Sequence, residues 1–375
     1  MAAEGPNSAA VKAAGEELLD FVESFSAVKQ VPHVMLDSFE DVMYFMREHV
    51  ARNRPAVISG LMAGSPALAW SPEDMASQHG EAEVDVNMTP NGLADAIVPT
   101  WCLGDGRHSL EPPHDAPDTP PTSCFLEPHV ASLPLGVALQ QLAAQARTPR
   151  GQWRGDVAYI SAQNDSLREQ FPFLAPDVPP SLPWASSIFG AEPDAINVWI
   201  GDQHSVSSTH KDPYENLYAV VHGVKVFTLL PPGDTPWLNT HATPHGKYTP
   251  LSAQQGGGWR AQLSTGEGTP QHACGCSAST VPWVGVDPCS TSAAVEHPPF
   301  ARASPVTVKV QAGETLYLPA LWYHRVTQEG LCIAVNYWHD MSYGPAYALN
   351  QVVQALAPAL SAAASVQHNT EQAAP

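Results

Sequence analysis

Within Thr209-His210-Lys211-Asp212, an imidazole and a carboxylate stand two positions apart. On a β-strand, side-chain direction alternates with period two, so both point to one face and reach a single centre. With 16 histidines in the chain, about one or two His-x-Asp or His-x-Glu pairs arise by chance, and His79-Gly80-Glu81 reads as one. His324 gives the first pair more weight. It follows Leu316-Tyr-Leu-Pro-Ala-Leu-Trp-Tyr323, a strand and turn from which a neighbouring strand brings a second imidazole to the same centre. Two histidines and one carboxylate on one side of a metal leave three positions open, the pattern of non-haem Fe(II) oxygenases. Zinc hydrolysis uses similar ligands, so the triad alone does not fix the chemistry.

Lys225 is the second chemical signal. It lies fifteen residues after His210, on the same strand face as Phe227 and Leu229, where a bare ammonium is costly to bury. Either it snorkels to a rim or pairs with an acid, or it receives an anion. Its placement on a strand able to face the metal favours the distal carboxylate of a dicarboxylate co-substrate.

These residues need a β scaffold, and the pattern supplies one. Alternation marks strands at Glu83–Met88, Asp156–Ser161, Ala195–Ile200, Val206–His210 and Leu217–Val221, with Pro55–Gly60 as a short apolar strand. A turn at His222-Gly223 predicts a hairpin into Val224–Leu230. Further strands follow at Val306–Val310, Thr315–Leu318 and Cys332–Trp338, so many short strands and tight turns predict a barrel or sandwich. Helical spacing predicts an amphipathic helix over about 9–27 and another over Phe39–Val50. A Pro-rich surface loop near 104–128 and a flexible Gly/Ser-rich insertion near 252–292 are expected. So are a short helix around Tyr347–Leu356 and a disordered Ala-rich tail. The chain therefore divides into an N-terminal helix (1–30), an N-terminal part (31–182), a β core (183–345) and a tail (346–375).

Several segments together carry a family resemblance: Val31-Pro32, Asn53-Arg-Pro-Ala-Val-Ile-Ser-Gly60, Thr89-Pro-Asn-Gly-Leu-Ala-Asp-Ala96, Pro183-Trp-Ala185, His210-Lys-Asp-Pro-Tyr-Glu-Asn-Leu-Tyr218, Gly313 through His324, and Cys332-Ile-Ala-Val-Asn-Tyr-Trp338. Over about Val31–Tyr347 the chain resembles the JmjC oxygenases, and among them the lysyl hydroxylases. The resemblance implies a mainly β fold with flanking helices, the double-stranded β-helix or cupin-like jelly roll. It implies Fe(II) held by His210, Asp212 and His324, with 2-oxoglutarate and O2 as co-substrates. Lys225, Tyr159, Ser207, Asn216 and Asn336 would line the 2-oxoglutarate pocket. Strict alternation turns Ser207 away from His210, so its role requires a bulge. The implied reaction is C-3 hydroxylation of a lysine in a protein, a translation-associated GTPase of the developmentally regulated GTP-binding class. Asp340, Glu215 or other acids near the metal mouth are expected to receive the lysine ammonium.

Rival readings stay open beside it: an Nε-methyl-lysine demethylase, an endopeptidase acting on basic histone tails, or a non-enzymatic cupin-like barrel. No Ser/His/Asp or Cys/His arrangement supports a peptidase nucleophile. A formal charge of -20, from 37 acidic and 17 basic residues, disfavours a nucleic-acid partner and suits a cationic one. No stretch reads as a secretory signal or a membrane span, so the expectation is cytoplasmic, with the nucleus as alternative. Oligomeric state is open, a homodimer among the options. The six scattered cysteines imply no disulfide framework, and His272-Ala-Cys274-Gly-Cys276 reads as loop rather than zinc site for want of a fourth ligand. Trp199, Trp322 and Trp338 are expected in the barrel core or at its rim, with Trp322 or Trp338 flanking a substrate pocket as the alternative.

Overall fold

The computed structural model describes residues 13–15, 17, 20, 28–103, 107–111, 122–265 and 277–372. In chain order the strands of the N-terminal part are β1 (His33–Met35), β2 (Ala56–Ser59), β3 (Glu83–Thr89), β4 (Leu93–Ala94), β5 (Ala96–Leu103), β6 (Arg107–Ser109), β7 (Thr122–Glu127), β8 (His129–Pro134) and β9 (Val157–Tyr159). Then come β10 (Ala195–Gly201), β11 (Val206–His210), β12 (Tyr214–Leu230), β13 (Thr240–Pro250), β14 (Trp259–Leu263) and β15 (Thr280–Val284). The last are β16 (Val306–Gln311), β17 (Glu314–Leu318) and β18 (Tyr323–Asp340).

The two longest strands, β12 and β18, organise the fold by pairing antiparallel along nearly their whole lengths. The first half of β12 pairs with β17 and its second half with β16. Likewise, the first half of β18 pairs with β11 and its second half with β10. Two four-stranded layers result, β17-β12-β18-β10 and β16-β12-β18-β11, each sharing halves of the same two strands. That is a double-stranded β-helix, as expected. From the N-terminal part, β2 and β1 extend the first layer and β4 extends the second. Between the layers lies an apolar and aromatic core of Tyr159, Trp199, Tyr218, Phe227, Leu316, Trp322 and Val326. A larger core outside the first layer packs it against the helix Leu135–Ala146 and the segment carrying Phe171 and Leu182.

Three expectations need correction. The hairpin at His222-Gly223 does not form. The chain continues straight through in β12, with register shifts at Val220/His222 and His222/Val224. Gly223, at φ +76°, absorbs the extra residue of a bulge, and a Cβ there would lie 2.3 Å from the Leu331 carbonyl oxygen. Glycine-containing dipeptides mark bulges as well as turns, and here long-range pairing with β18 on both flanks decides.

The second correction concerns the loop near 104–128 and the insertion near 252–292. Both contribute strands to a separate six-stranded sheet, β14-β6-β5-β7-β13-β15. It has its own small core of Ala96, Val98, Cys124, Leu126, Tyr248 and Ala261. The third is the tail, where a helix runs over Pro345–Gln372 instead of ending near Leu356. It is anchored by Val353 and Leu360 against Trp237, and alanine is the strongest helix former.

Residues 39–50 are helical as expected, an α-helix over Phe39–Phe45 continuing as a π-turn over Met46–Val50. The expected helix over 9–27 lies largely outside the described residues, of which 13–15, 17 and 20 are helical. The His272, Cys274 and Cys276 group lies outside them too. Among the described residues Cys289 and Cys332 are free thiols, and no helix is long and apolar enough to cross a membrane.

Candidate active site

His210 ends β11 and His324 opens β18, and the two are direct cross-strand partners. Their ring centroids are 4.2 Å apart. Asp212 follows β11 in a turn whose backbone is tied across the site, the Leu321 amide donating to the Asp212 carbonyl at 2.9 Å. The turn leading into His324 is pinned from the far end of the chain. Asn53 donates to the Ala320 carbonyl at 3.1 Å, and the Trp322 indole donates to the Asn53 carbonyl at 2.8 Å. The Asn53–Gly60 and Gly313–His324 segments therefore meet at the base of this site.

The donor set suits one divalent cation. Each histidine has its Nδ1 against a backbone carbonyl, His210 on Ser208 at 2.7 Å and His324 on Trp322 at 3.0 Å. A carbonyl only accepts, so the proton sits on Nδ1 and the Nε2 lone pair is free. Both Nε2 atoms face the same carboxylate oxygen, Asp212 Oδ2, at 3.7 Å from His210 and 3.6 Å from His324. All three ligand atoms lie within 4.8 Å of one another. That spacing is what a three-point metal grip requires.

Burial, reinforced by neighbouring His210, pushes the His324 imidazole down to about 4, against the opposing pull of Asp212 and the Trp322 carbonyl. The unfolded chain takes up that proton near the ordinary value of 6.5. Stability contributed by neutral His324 is therefore complete above pH 6.5 and is lost as pH falls toward 4. At about 1.4 kcal/mol per pH unit, chelator-treated protein should lose about 3 kcal/mol across that window. Urea denaturation from pH 7 to pH 4, beside His324→Gln, measures it; equal pH slopes in the two proteins would contradict the assignment.

Around the triad runs an inner pocket lined by Tyr159, Gln163, Trp199, Ser207, Asn216, Tyr218, Phe227, Val326 and Trp338. Ser207 reaches it because the β11 register shifts between Ser207 and His210, the bulge its assignment required. Asn336 does not line the pocket. It stands behind the wall, accepting from the Trp199 indole at 2.8 Å and donating to Asn216 at 3.1 Å, and so fixes both.

Behind the pocket wall formed by Tyr159, Trp199 and Tyr218, Lys225 is fully buried. Its ammonium donates to the Tyr159 hydroxyl at 3.1 Å and lies 5.1–5.5 Å from the ring centres of Tyr218, Tyr159 and Trp199. Gln328, oriented to donate to the Asp202 and Ser205 carbonyls, accepts from Lys225 at 3.3 Å. No carboxylate pairs with Lys225 among the described residues. Neighbouring Tyr218 keeps a buried hydroxyl without a hydrogen-bond partner. The aromatic faces and the Tyr159 hydroxyl partly offset the cost of burying this cation, whose charge is left without a counter-charge among the described residues.

Tyr218, Trp199 and Gln328 were not singled out from sequence as pocket groups. The available signal for Tyr218 was its position two residues after Asn216 on the same strand face.

A wider cleft opens from the triad toward the second sheet, lined among others by Asp85, Asp95, Glu127, Gln163, His245 and Trp283. Acids do stand near the metal mouth, but the two named for the role are not among them. Glu215 is buried, accepting from the Tyr317 hydroxyl at 2.8 Å and the Ala320 amide at 3.3 Å, and Asp340 accepts from Tyr343 on the outside. Neither lines the cleft or the inner pocket. Asp95, left-handed at φ 49° between β4 and β5 and held by Ser208 donating to its backbone carbonyl, lines the cleft with its charge felt by His210. Burial pushes the Asp95 carboxyl up to about 6, with His210 opposing and Glu127 adding to the rise.

Residues 43–344 match the family described as cupin-like domain. The chain is 35% identical over 355 residues to the bifunctional peptidase and (3S)-lysyl hydroxylase JMJD7 of Homo sapiens, covering 94% of this chain and 98% of that protein. It is 31% identical to JmjC domain-containing protein E of Dictyostelium discoideum, covering 90% and 92% of the two chains. To the lysine-specific demethylase JMJ32 of Arabidopsis thaliana it is 33% identical over 85% of each. With a double-stranded β-helix, a family match across most of its length and relatives this similar end to end, the chain belongs to the cupin-like JmjC family of 2-oxoglutarate-dependent oxygenases.

Proposed function

We propose that the protein is an Fe(II)- and 2-oxoglutarate-dependent hydroxylase of a lysine side chain in a polypeptide. His210, Asp212 and His324 hold the metal, and Lys225 with Tyr159 receives the distal carboxylate of 2-oxoglutarate. The observation that carries this reading is the buried Lys225 ammonium, without a carboxylate partner among the described residues and bonded to Tyr159 in the wall of the pocket that holds the triad. A zinc hydrolase has no use for such a cation there. Fe(II) and 2-oxoglutarate together supply an oxidant from O2 as the co-substrate is decarboxylated to succinate and CO2. The chain's own residues bind, orient and shield. Lys225 and Tyr159 set the depth of the dicarboxylate, Asn336 fixes the Asn216 and Trp199 walls, and Phe227 and Val326 keep the floor dry.

A lysine substrate is supported by the acids of the outer cleft, Asp85, Asp95 and Glu127, on the approach to the triad. The (3S)-lysyl hydroxylase named among the relatives points the same way and supports C-3 of lysine as the oxidised position. A GTP-binding protein of the developmentally regulated class is the first substrate to try. A second reading, demethylation of Nε-methyl-lysine, has support from the demethylase relative. Mass spectrometry of lysine peptides decides between them. One added oxygen with succinate formed is expected; formaldehyde release from methylated peptides in place of added oxygen would transfer the assignment, and neither product would remove both.

Asp95→Asn tests the cleft. A charge-assisted hydrogen bond is worth about 1.5–3 kcal/mol, so kcat/KM for a lysine peptide should fall about 10-fold or more, chiefly through KM. Slow 2-oxoglutarate turnover without peptide should stay unchanged. Because Asp95 is charged only above about pH 6, the wild-type preference for lysine over norleucine should strengthen as pH rises through 6. A pH-independent preference would exclude Asp95 as the receptor.

A further inference from the structure

His210 has a second neighbourhood, on the opposite side from the acidic cleft. A chamber of about 600 Å³ is bounded by Thr209, Lys211 and Tyr323 on the barrel side and by Gln354 and Ser361 of the C-terminal helix on the other. Trp283 divides it from the cleft, lining both and stacking on the His210 ring at 6.0 Å with an interplanar angle of 9°.

Within the wall of this chamber two polar atoms are buried without hydrogen-bond partners, the Lys211 ammonium and the Thr209 hydroxyl, so an incoming anion meets them by a side-chain shift. Lys211 lies over the Tyr323 ring at 4.9 Å and has no ion pair among the described residues. Its nitrogen is buried, so it does not snorkel to water. Among the described residues no aspartate or glutamate lines the chamber, in a chain where acids outnumber bases 37 to 17. Desolvating an ammonium without a counter-charge is expensive, and a hydroxyl and two amides, Asn239 and Gln354, add donors around it.

We propose that this chamber is an anion site that takes a carboxylate borne by the polypeptide substrate, an aspartate or glutamate a few residues from the target lysine. The inference rests on the hydroxylase reading above. One indole separates the acidic cleft from the Lys211 chamber, so a chain that enters the cleft with its lysine passes the chamber within a few residues. Opposite charges on the two sides of Trp283 then read both the identity and the direction of the substrate segment.

The test uses full-length protein and labelled lysine peptides carrying glutamate, or its isostere glutamine, at positions two to five residues on either side of the lysine. Fluorescence anisotropy reads binding, and mass spectrometry reads the added oxygen. At one position glutamate should tighten binding about 10-fold over glutamine, the worth of one charge-assisted hydrogen bond. Lys211→Met should erase that preference and Lys211→Arg should retain it, while Gln354→Leu, on the C-terminal helix, should weaken it. Inorganic phosphate titrated into metal-free protein probes the chamber without peptide. Binding of phosphate that depends on Lys211, with no glutamate preference at any position, would overturn the proposal in favour of a free anion. Absence of both effects would overturn the site itself. If no lysine gains oxygen yet the Lys211-dependent glutamate preference persists, the chamber stands and the hydroxylase reading falls.

Discussion

Lys225→Met should weaken 2-oxoglutarate binding about 10- to 150-fold while making the co-substrate-free protein more stable. The two halves of this result come from one fact, a fully buried ammonium with no carboxylate partner. In the free protein that charge is a desolvation cost offset only by the Tyr159 hydroxyl, Gln328 and three aromatic faces. Methionine fills a similar volume without the charge, and replacing buried ionic groups by apolar ones commonly stabilises by about 1 kcal/mol or more. With 2-oxoglutarate bound, the same ammonium makes a charge-assisted hydrogen bond worth about 1.5–3 kcal/mol, which sets the predicted loss.

A purely structural lysine gives the opposite pattern, lower stability and unchanged affinity. Calorimetric titration of 2-oxoglutarate, beside the shorter 2-oxobutyrate, makes the comparison sharper. Wild type should prefer the dicarboxylate and Lys225→Met should not, because only the distal carboxylate distinguishes the two. A variant that keeps both its preference and its affinity would rule out Lys225 as the receptor.

Why Lys225 was legible from sequence and Tyr218 was not follows from what each residue is. A lysine on an apolar strand face is a local contradiction, and such contradictions mark sites. Tyr218 and Trp199 on buried strands read as ordinary core, and only the unpartnered hydroxyl of Tyr218 and the indole bond of Trp199 to Asn336 reveal their place at the pocket. The His210 and Asp212 pair was legible because period-two alternation is local. Ser207 was not, because its orientation depends on a bulge set by pairing with β18.

The same division holds for the fold. Alternating runs marked most strands of the β-helix, yet β12 was read as a hairpin because the dipeptide His222-Gly223 signals a turn and a bulge alike. The second sheet was hidden in another way. Its strands are short and their partners distant, β7 pairing in parallel with β13 more than a hundred residues later. The acids of the cleft come largely from that sheet and the links into it, so Glu127 and Asp95 reach the site through long-range pairing that proximity to the triad in sequence does not signal, whereas Glu215 and Asp340 are close in sequence and turn elsewhere. In the tail, alanine-rich composition suggested disorder, whereas Val353, Leu356 and Leu360 repeat at helical spacing and bind it to Trp237.

Asp212→Ala should abolish turnover and lower metal affinity by more than about 100-fold, since loss of even an outer partner of a metal ligand commonly costs 10- to 100-fold. The carboxylate is the point on which both imidazoles converge, 3.6 and 3.7 Å from their Nε2 atoms, and without it two neutral nitrogens remain to hold a divalent ion. An ion that binds only the folded protein stabilises it by about 2.7 kcal/mol at 100 times its Kd. Wild-type protein should therefore gain thermal stability on anaerobic addition of Fe(II), or of redox-stable Co(II), and Asp212→Ala should gain almost none at the same concentration. The backbone bonds that set the histidine tautomers, from His210 to Ser208 and from His324 to Trp322, do not involve Asp212, so the variant keeps the imidazoles in place. Its metal-free stability should change far less than its metal response. If instead the variant unfolds more easily without metal and responds to metal as wild type does, the three residues form a structural polar cluster and the centre lies elsewhere.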